Sequence, residues 1–144
     1  MEKYSNWGEI KHVDIADILL DKNNPRFFIH EEDLNQNQVL SKILNYKVDN
    51  LIESILKESF FPDQAVILIK DEEKKKYIVI EGNRRVAACK LINNTNLLNT
   101  LNISSKNKKI YESLLKENEK RKLHIKNIPG ILAPNRVAVT ELLL

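Results

Sequence analysis

The stretch from Lys76 to Ile92, reading Lys-Tyr-Ile-Val-Ile-Glu-Gly-Asn-Arg-Arg-Val-Ala-Ala-Cys-Lys-Leu-Ile, constrains the fold more than any other part of the chain. Tyr77 to Ile80 is a run of β-formers and predicts a buried strand. Gly82 interrupts it, and Val86, Ala87, Leu91 and Ile92 then recur at helical spacing. A strand that turns through one glycine into a helix leaves the first N–H groups unpaired beside the positive end of the helix dipole. Arg84 and Arg85 fall in that first turn, where their charges oppose the dipole, so local helix stability does not account for them. An anion does, because phosphate oxygens accept from both free N–H groups and guanidinium forks. The segment reads as a phosphate cradle. Its competing reading is a tight turn at Gly82, with the arginines paired to Glu81 or to other acids.

Glu81-Gly82-Asn83-Arg84-Arg85-Val86-Ala87-Ala88 resembles the strand, Gly-x-Arg-Arg and small-residue helix of the ParB/sulfiredoxin superfamily, specifically its ParB-like N-terminal domain. Val13 to Phe28 resembles the family's opening strand and Asn-Pro-Arg loop, and Leu51 to Ile67 its Leu-x-x-Ser-Ile helix, proline and strand. The similarity spans about residues 10 to 93 in the correct order and weakens beyond. It implies an α+β domain with a small mixed β-sheet surrounded by helices. It also implies a nucleotide site, with CTP or ATP as ligand and Mg²⁺ arriving with it. Gly82, Asn83, Arg84 and Arg85 would hold the phosphates, joined by Arg26 and Asn24 from the Asn-Pro-Arg loop. By the residues alone, Asn24 reads as a turn former before a ligand contact, and Arg26 as a stem covering an apolar edge.

Two departures from the family pattern narrow the chemistry. Sulfiredoxins carry a reactive cysteine directly after the glycine, where this chain has Asn83, and Cys89 lies further along among small apolar residues. Sulfiredoxin activity is therefore not expected. ParB proteins usually have Glu at that position, so Asn83 also weakens the inference to cytidine preference and hydrolysis. Glu81 is the one carboxylate near the motif and a weak candidate for catalysis. The expectation is a nucleotide-binding switch with at most slow hydrolysis. The competing functions are a ParB-like nuclease and a domain that binds DNA phosphate. No metal site is expected: His12, His30 and His124 are scattered, and Asp14, Asp17 and Asp21 form no metal loop.

The rest of the chain predicts an α+β order. A first strand is expected over Glu9 to Ile15, a loop over Asp21 to Arg26, and helices over Glu31 to Asn45 and Val48 to Ser59. Leu51, Ile52, Ile55 and Leu56 make the core-facing stripe of the second helix. Pro62 precedes a strand from Ala65 to Ile69, which the polar turn Asp71 to Lys75 joins to the Tyr77 strand as an antiparallel hairpin. Ser105 to Arg121 reads as a helix, Ile128 to Leu132 as a short strand despite Pro129, and Arg136 to Leu144 as a last helix capped by Asn135.

At 144 residues, 42% hydrophobic and 30% charged, the chain suits a single domain: a core over about 9–93 and a largely helical extension over about 97–144. The lone Cys89, and the lack of any run approaching the roughly 20 apolar residues of a membrane span, point to a cytoplasmic protein with no membrane partner. Net charge is only +3, but residues 106–126 hold eight Lys/Arg against three Glu. Lys106, Lys108, Lys109, Lys120, Arg121 and Lys122 are accordingly candidate DNA contacts, set against the simpler reading of a solvated helix face. The apolar ending Leu142 to Leu144 suggests a fragment of a longer protein, or contact with a protein partner or a second copy through the last helix.

Overall fold

Alternate residues of an extended strand face opposite ways, and the central hairpin is apolar on both sides, so it needs a layer on each face. The computed structural model describes residues 7–23, 34–58 and 65–143. In chain order these hold β1 (Lys11–Asp14), β2 (Ile18–Leu19), α1 (Gln36–Leu44), α2 (Asp49–Glu58), β3 (Val66–Asp71), β4 (Lys76–Glu81), α3 (Asn83–Asn93), α4 (Ser105–Arg121), β5 (Asn127–Leu132) and α5 (Arg136–Leu143). The strands form one mixed sheet in the order β1-β5-β3-β4-β2. Two pairs, β1 with β5 and β3 with β4, are antiparallel; β3 with β5 and β2 with β4 are parallel. The fold is α+β.

Val66, Leu68 and Val79 face the main core, where they meet buried residues of α1, α2, α3 and α4. Ile67, Ile69 and Ile80 face the other way and pack with Trp7, Ala133 and Val139 of α5. In the main layer the center is α3, with Val86, Ala87, Ala88, Cys89, Leu91 and Ile92 all buried. Its alanines and cysteine leave little side-chain bulk, which suits a helix pressed between the sheet and its neighbours. The α2 stripe is as expected: Ile52, Ile55 and Leu56 are buried and Leu51 half-buried.

The hairpin and both C-terminal helices form where the patterns predict them, α4 to the residue, and Asn135 Oδ1 accepts the Ala138 N–H at 2.9 Å as the α5 cap. Other boundaries move. The first strand is shorter than expected, because Ile15–Asp17 coils into a 3-10 turn. The first helix begins at Gln36 rather than Glu31, set by a capping box between Asn35 and Gln38 that the sequence reading missed. Strand β2 and a 3-10 turn at Thr95–Asn99 were also unforeseen. The segment after residue 97 contributes more than helices: β5 enters the interior of the sheet. Pro129 is tolerated there because the register with β3 begins only at Gly130. Asn24, Arg26, Glu31, Pro62 and Leu144 lie outside the described residues.

One ion pair closes the fold across 115 residues. Arg136, the first residue of α5, donates from both terminal nitrogens to the two carboxylate oxygens of Asp21, each at 2.8 Å. Asp21 is 1% exposed, so its charge has little water to fall back on. The same contact raises the already high pKa of Arg136. Arg136→Ala strands a buried carboxylate and is expected to cost about 3 kcal/mol. Urea unfolding of this variant should show a clearly lower midpoint than Asn135→Gly, a cap change of a few tenths of a kcal/mol; equal midpoints would show that the pair contributes little.

Candidate functional site

Gly82 adopts φ 110°, in the left-handed region, between the end of β4 and the first turn of α3. A Cβ there would lie 2.5 Å from Cγ1 of Val66 on β3, so the absence of a side chain lets the helix start directly over the sheet. Sterics alone therefore require glycine, whatever it binds. As N-cap, Gly82 supplies no capping oxygen; no side chain takes its place, and the first turn contains no acid. The first regular helical bond is Val86 N–H to Gly82 O at 3.0 Å.

Asn83 is 6% exposed and its side chain is committed to the fold. Its Oδ1 accepts the Asp21 N–H at 2.9 Å, and its Nδ2 donates to Val79 O at 2.9 Å. The side chain thus fixes the chain leaving β2 against the β4–α3 turn. Only its backbone N–H, at the first helical position, is suited to a ligand. Through Asp21 the same network continues to Arg136, so α5, the β2 exit and the start of α3 are held as one unit.

Glu81, Gly82, Asn83, Arg84 and Arg85 line one wall of a 590 Å³ cavity, and Ile43, Tyr46, Lys47 and Leu51 line the wall opposite. Arg84 is exposed and donates to Lys47 O at 2.7 Å, bridging the cavity from α3 to the α1–α2 connection. Arg85 is half-buried. Tyr46 is 54% exposed at the cavity's edge. The connection that carries it is itself anchored: the buried Tyr111 hydroxyl donates to Leu44 O and accepts the Val48 N–H. Burial keeps that phenol protonated by raising its pKa. Tyr46, Lys47 and Tyr111 were not among the expected site residues. Nothing in their local pattern marks them, since the cavity wall they build depends on how α1 and α2 dock on α3.

Sequence-predicted residues elsewhere divide differently. Lys106, Lys109, Arg121 and Lys122 are exposed on or just after α4, with Lys108 half-buried and Lys120 in the same helix. Arg121 is partly committed, donating to Leu56 O on α2. Cys89 is fully buried, and burial pushes its thiol up to about 12, so it is a packed thiol with no nucleophilic character. Among the described residues no group of three His, Cys, Asp or Glu side chains could hold a metal. Glu81 is the one carboxylate among the residues lining the cavity. No helix among the described residues is long and apolar enough to cross a membrane.

No protein-family model matches the chain, and no curated protein sequence matches it significantly.

Gly82→Ala is expected to destabilise the domain by about 1–3 kcal/mol, from the clash with Val66 and the left-handed backbone together. Unfolding by urea measures this directly, and a compensating Val66→Ala should recover part of the loss. No recovery would place the cost in the backbone alone.

Proposed function

We propose that the domain is a ParB-like nucleotide switch that binds a nucleoside triphosphate, CTP or ATP, with its phosphates at the start of α3. The observation that carries this reading is the uncapped first turn of α3, flanked by Arg84 and Arg85, on the wall of a cavity large enough for a nucleotide. Free N–H groups and the positive dipole end favour an anion, and two guanidinium groups favour one with several oxygens. The Asn83 and Arg84 N–H groups would bind phosphate, and Arg85 would neutralise it. Arg84 would keep its hold on Lys47 O while presenting its remaining N–H groups. Arg26 and Asn24 belong to the proposal as second contacts by resemblance alone. The mixed sheet with helices on both faces is compatible with the ParB/sulfiredoxin arrangement, which is part of the same proposal.

Mg²⁺ would enter on the phosphates, which suits a cavity wall offering a single carboxylate, Glu81. Neither a carboxylate pair nor an accessible thiol accompanies the arginines among the residues lining the cavity, so their chemistry is holding and neutralising. Ligand binding would tighten the first turn of α3 against the α1–α2 connection. Through Asn83 and Asp21 it would bias the docking of α5 and any partner met there, protein or DNA. The reading places the protein in a reducing, cytoplasmic compartment, supported by its single, buried cysteine.

Arg84→Ala/Arg85→Ala should weaken triphosphate binding by at least about 100-fold, as two charge-assisted bonds are worth about 1.5–3 kcal/mol each. Calorimetry with CTP and ATP in Mg²⁺ measures the loss, and the variant should stay folded, with its unfolding midpoint lowered only slightly, because the first turn tolerates alanine and the bond lost to Lys47 O is exposed. Unchanged affinity would overturn the cradle. Phosphate release should stay below about 1 s⁻¹, the low end of ordinary enzyme rates. Faster release, or plasmid nicking abolished by Glu81→Gln, would replace the switch with an enzyme.

A further inference from the structure

A second cavity, of 540 Å³, opens at the other end of α3 from the cradle. Ile15, Leu20, Leu40 and Ile125 give it a buried apolar floor, and Leu97 is half-buried at its side. The fold pairs off two of the polar side chains around it. The Gln36 side chain bonds both the N–H and the carbonyl of Leu20, at 2.7 and 3.1 Å. The Asn93 side chain does the same for Ile125, at 2.8 and 2.7 Å.

Lys90, which also lines the cavity, is engaged less fully. Its ammonium makes one bond, to Ile15 O at 3.3 Å, and no carboxylate pairs with it among the described residues. Burial first, then the neighbouring charge of Lys76, push its pKa down. A half-buried cation with donors to spare, beside an apolar floor, is stabilised by any anion that brings its own apolar surface.

We propose that this cavity binds a small monocarboxylate with an apolar body, its carboxylate on Lys90 and its body against Leu20, Leu40 and Leu97. The apolar floor is more than an inorganic anion could use. Asp14 on the rim and the negative C-terminal end of α3 oppose anions as well, so Lys90 offsets one negative charge and not two. The exposed rim cation Lys126 favours approach of an anion without fixing it. The site is independent of the nucleotide reading.

Calorimetry of the full chain with octanoate and with octanamide, which shares the body but not the charge, tests it. Octanoate should saturate with a Kd below about 1 mM, and octanamide should bind at least about tenfold more weakly. Lys90→Met should reduce octanoate to the octanamide level. Leu97→Trp, which fills the floor and leaves Lys90 in place, should abolish binding of both, so the test survives a misfolded Lys90 variant. Arg84→Ala/Arg85→Ala should leave octanoate binding within about twofold of the unaltered chain. Absence of saturation, equal affinity for acid and amide, full binding by Leu97→Trp, or loss of binding in the arginine variant would each overturn the proposal.

Discussion

The structure depends on how closely the start of α3 approaches β3. Gly82 has room for a hydrogen and nothing more above Val66, because a Cβ would come within 2.5 Å of its Cγ1. That contact lets a helix of small residues lie directly on the sheet, with Ala87, Ala88 and Cys89 fully buried. It also decides where the helix begins. A helix that starts at a left-handed glycine has no side-chain cap, so its first N–H groups and their partial charge remain available. The packing requirement and the anion-binding potential therefore share one cause.

Around that start, each connection restrains another. Asn83 holds Asp21, just beyond β2, to the end of β4, Asp21 holds α5 through Arg136, and Arg84 reaches the α1–α2 connection that Tyr111 anchors. These links converge on a few residues, so a change at the cavity wall has a short physical route to α5. Two discrete positions for α5 would be needed for that route to act as a switch. The buried ion pair is suited to such behaviour, because an Asp21–Arg136 pair is either made with both bonds or costly to break.

Much of the fold was legible from local pattern. The Val66–Asp71 and Lys76–Glu81 hairpin follows from two runs of β-formers around a polar turn, and the α2 stripe and Ser105–Arg121 helix from helical periods, none of which depends on distant partners. Of the site, Glu81 to Arg85 was legible as a segment, and all five residues line one cavity. The role of Asn83 was only half visible: its position in the turn could be read, but its buried bonds to Asp21 and Val79 could not. Two-residue β2 carries no strand pattern and exists because β4 pairs with it from the parallel side. Arg136 and Asp21 are ordinary charges in the sequence, and only the docking of α5 makes them a buried pair. Lys90 was equally unmarked, since its half-buried setting is assembled from the 3-10 turn at Ile15 and the end of α3.

The central claim is that the backbone at the start of α3 receives phosphate oxygens. Amide nitrogen and proton shifts of Asn83, Arg84 and Arg85, followed by NMR during titration with a nucleoside triphosphate and then with the bare nucleoside, test it most directly. The account predicts large, saturable shifts at these three amides with the triphosphate and small ones with the nucleoside, since N–H groups at a helix start respond to a bound anion. Shifts centred elsewhere, or shifts of equal size with the nucleoside, would contradict it.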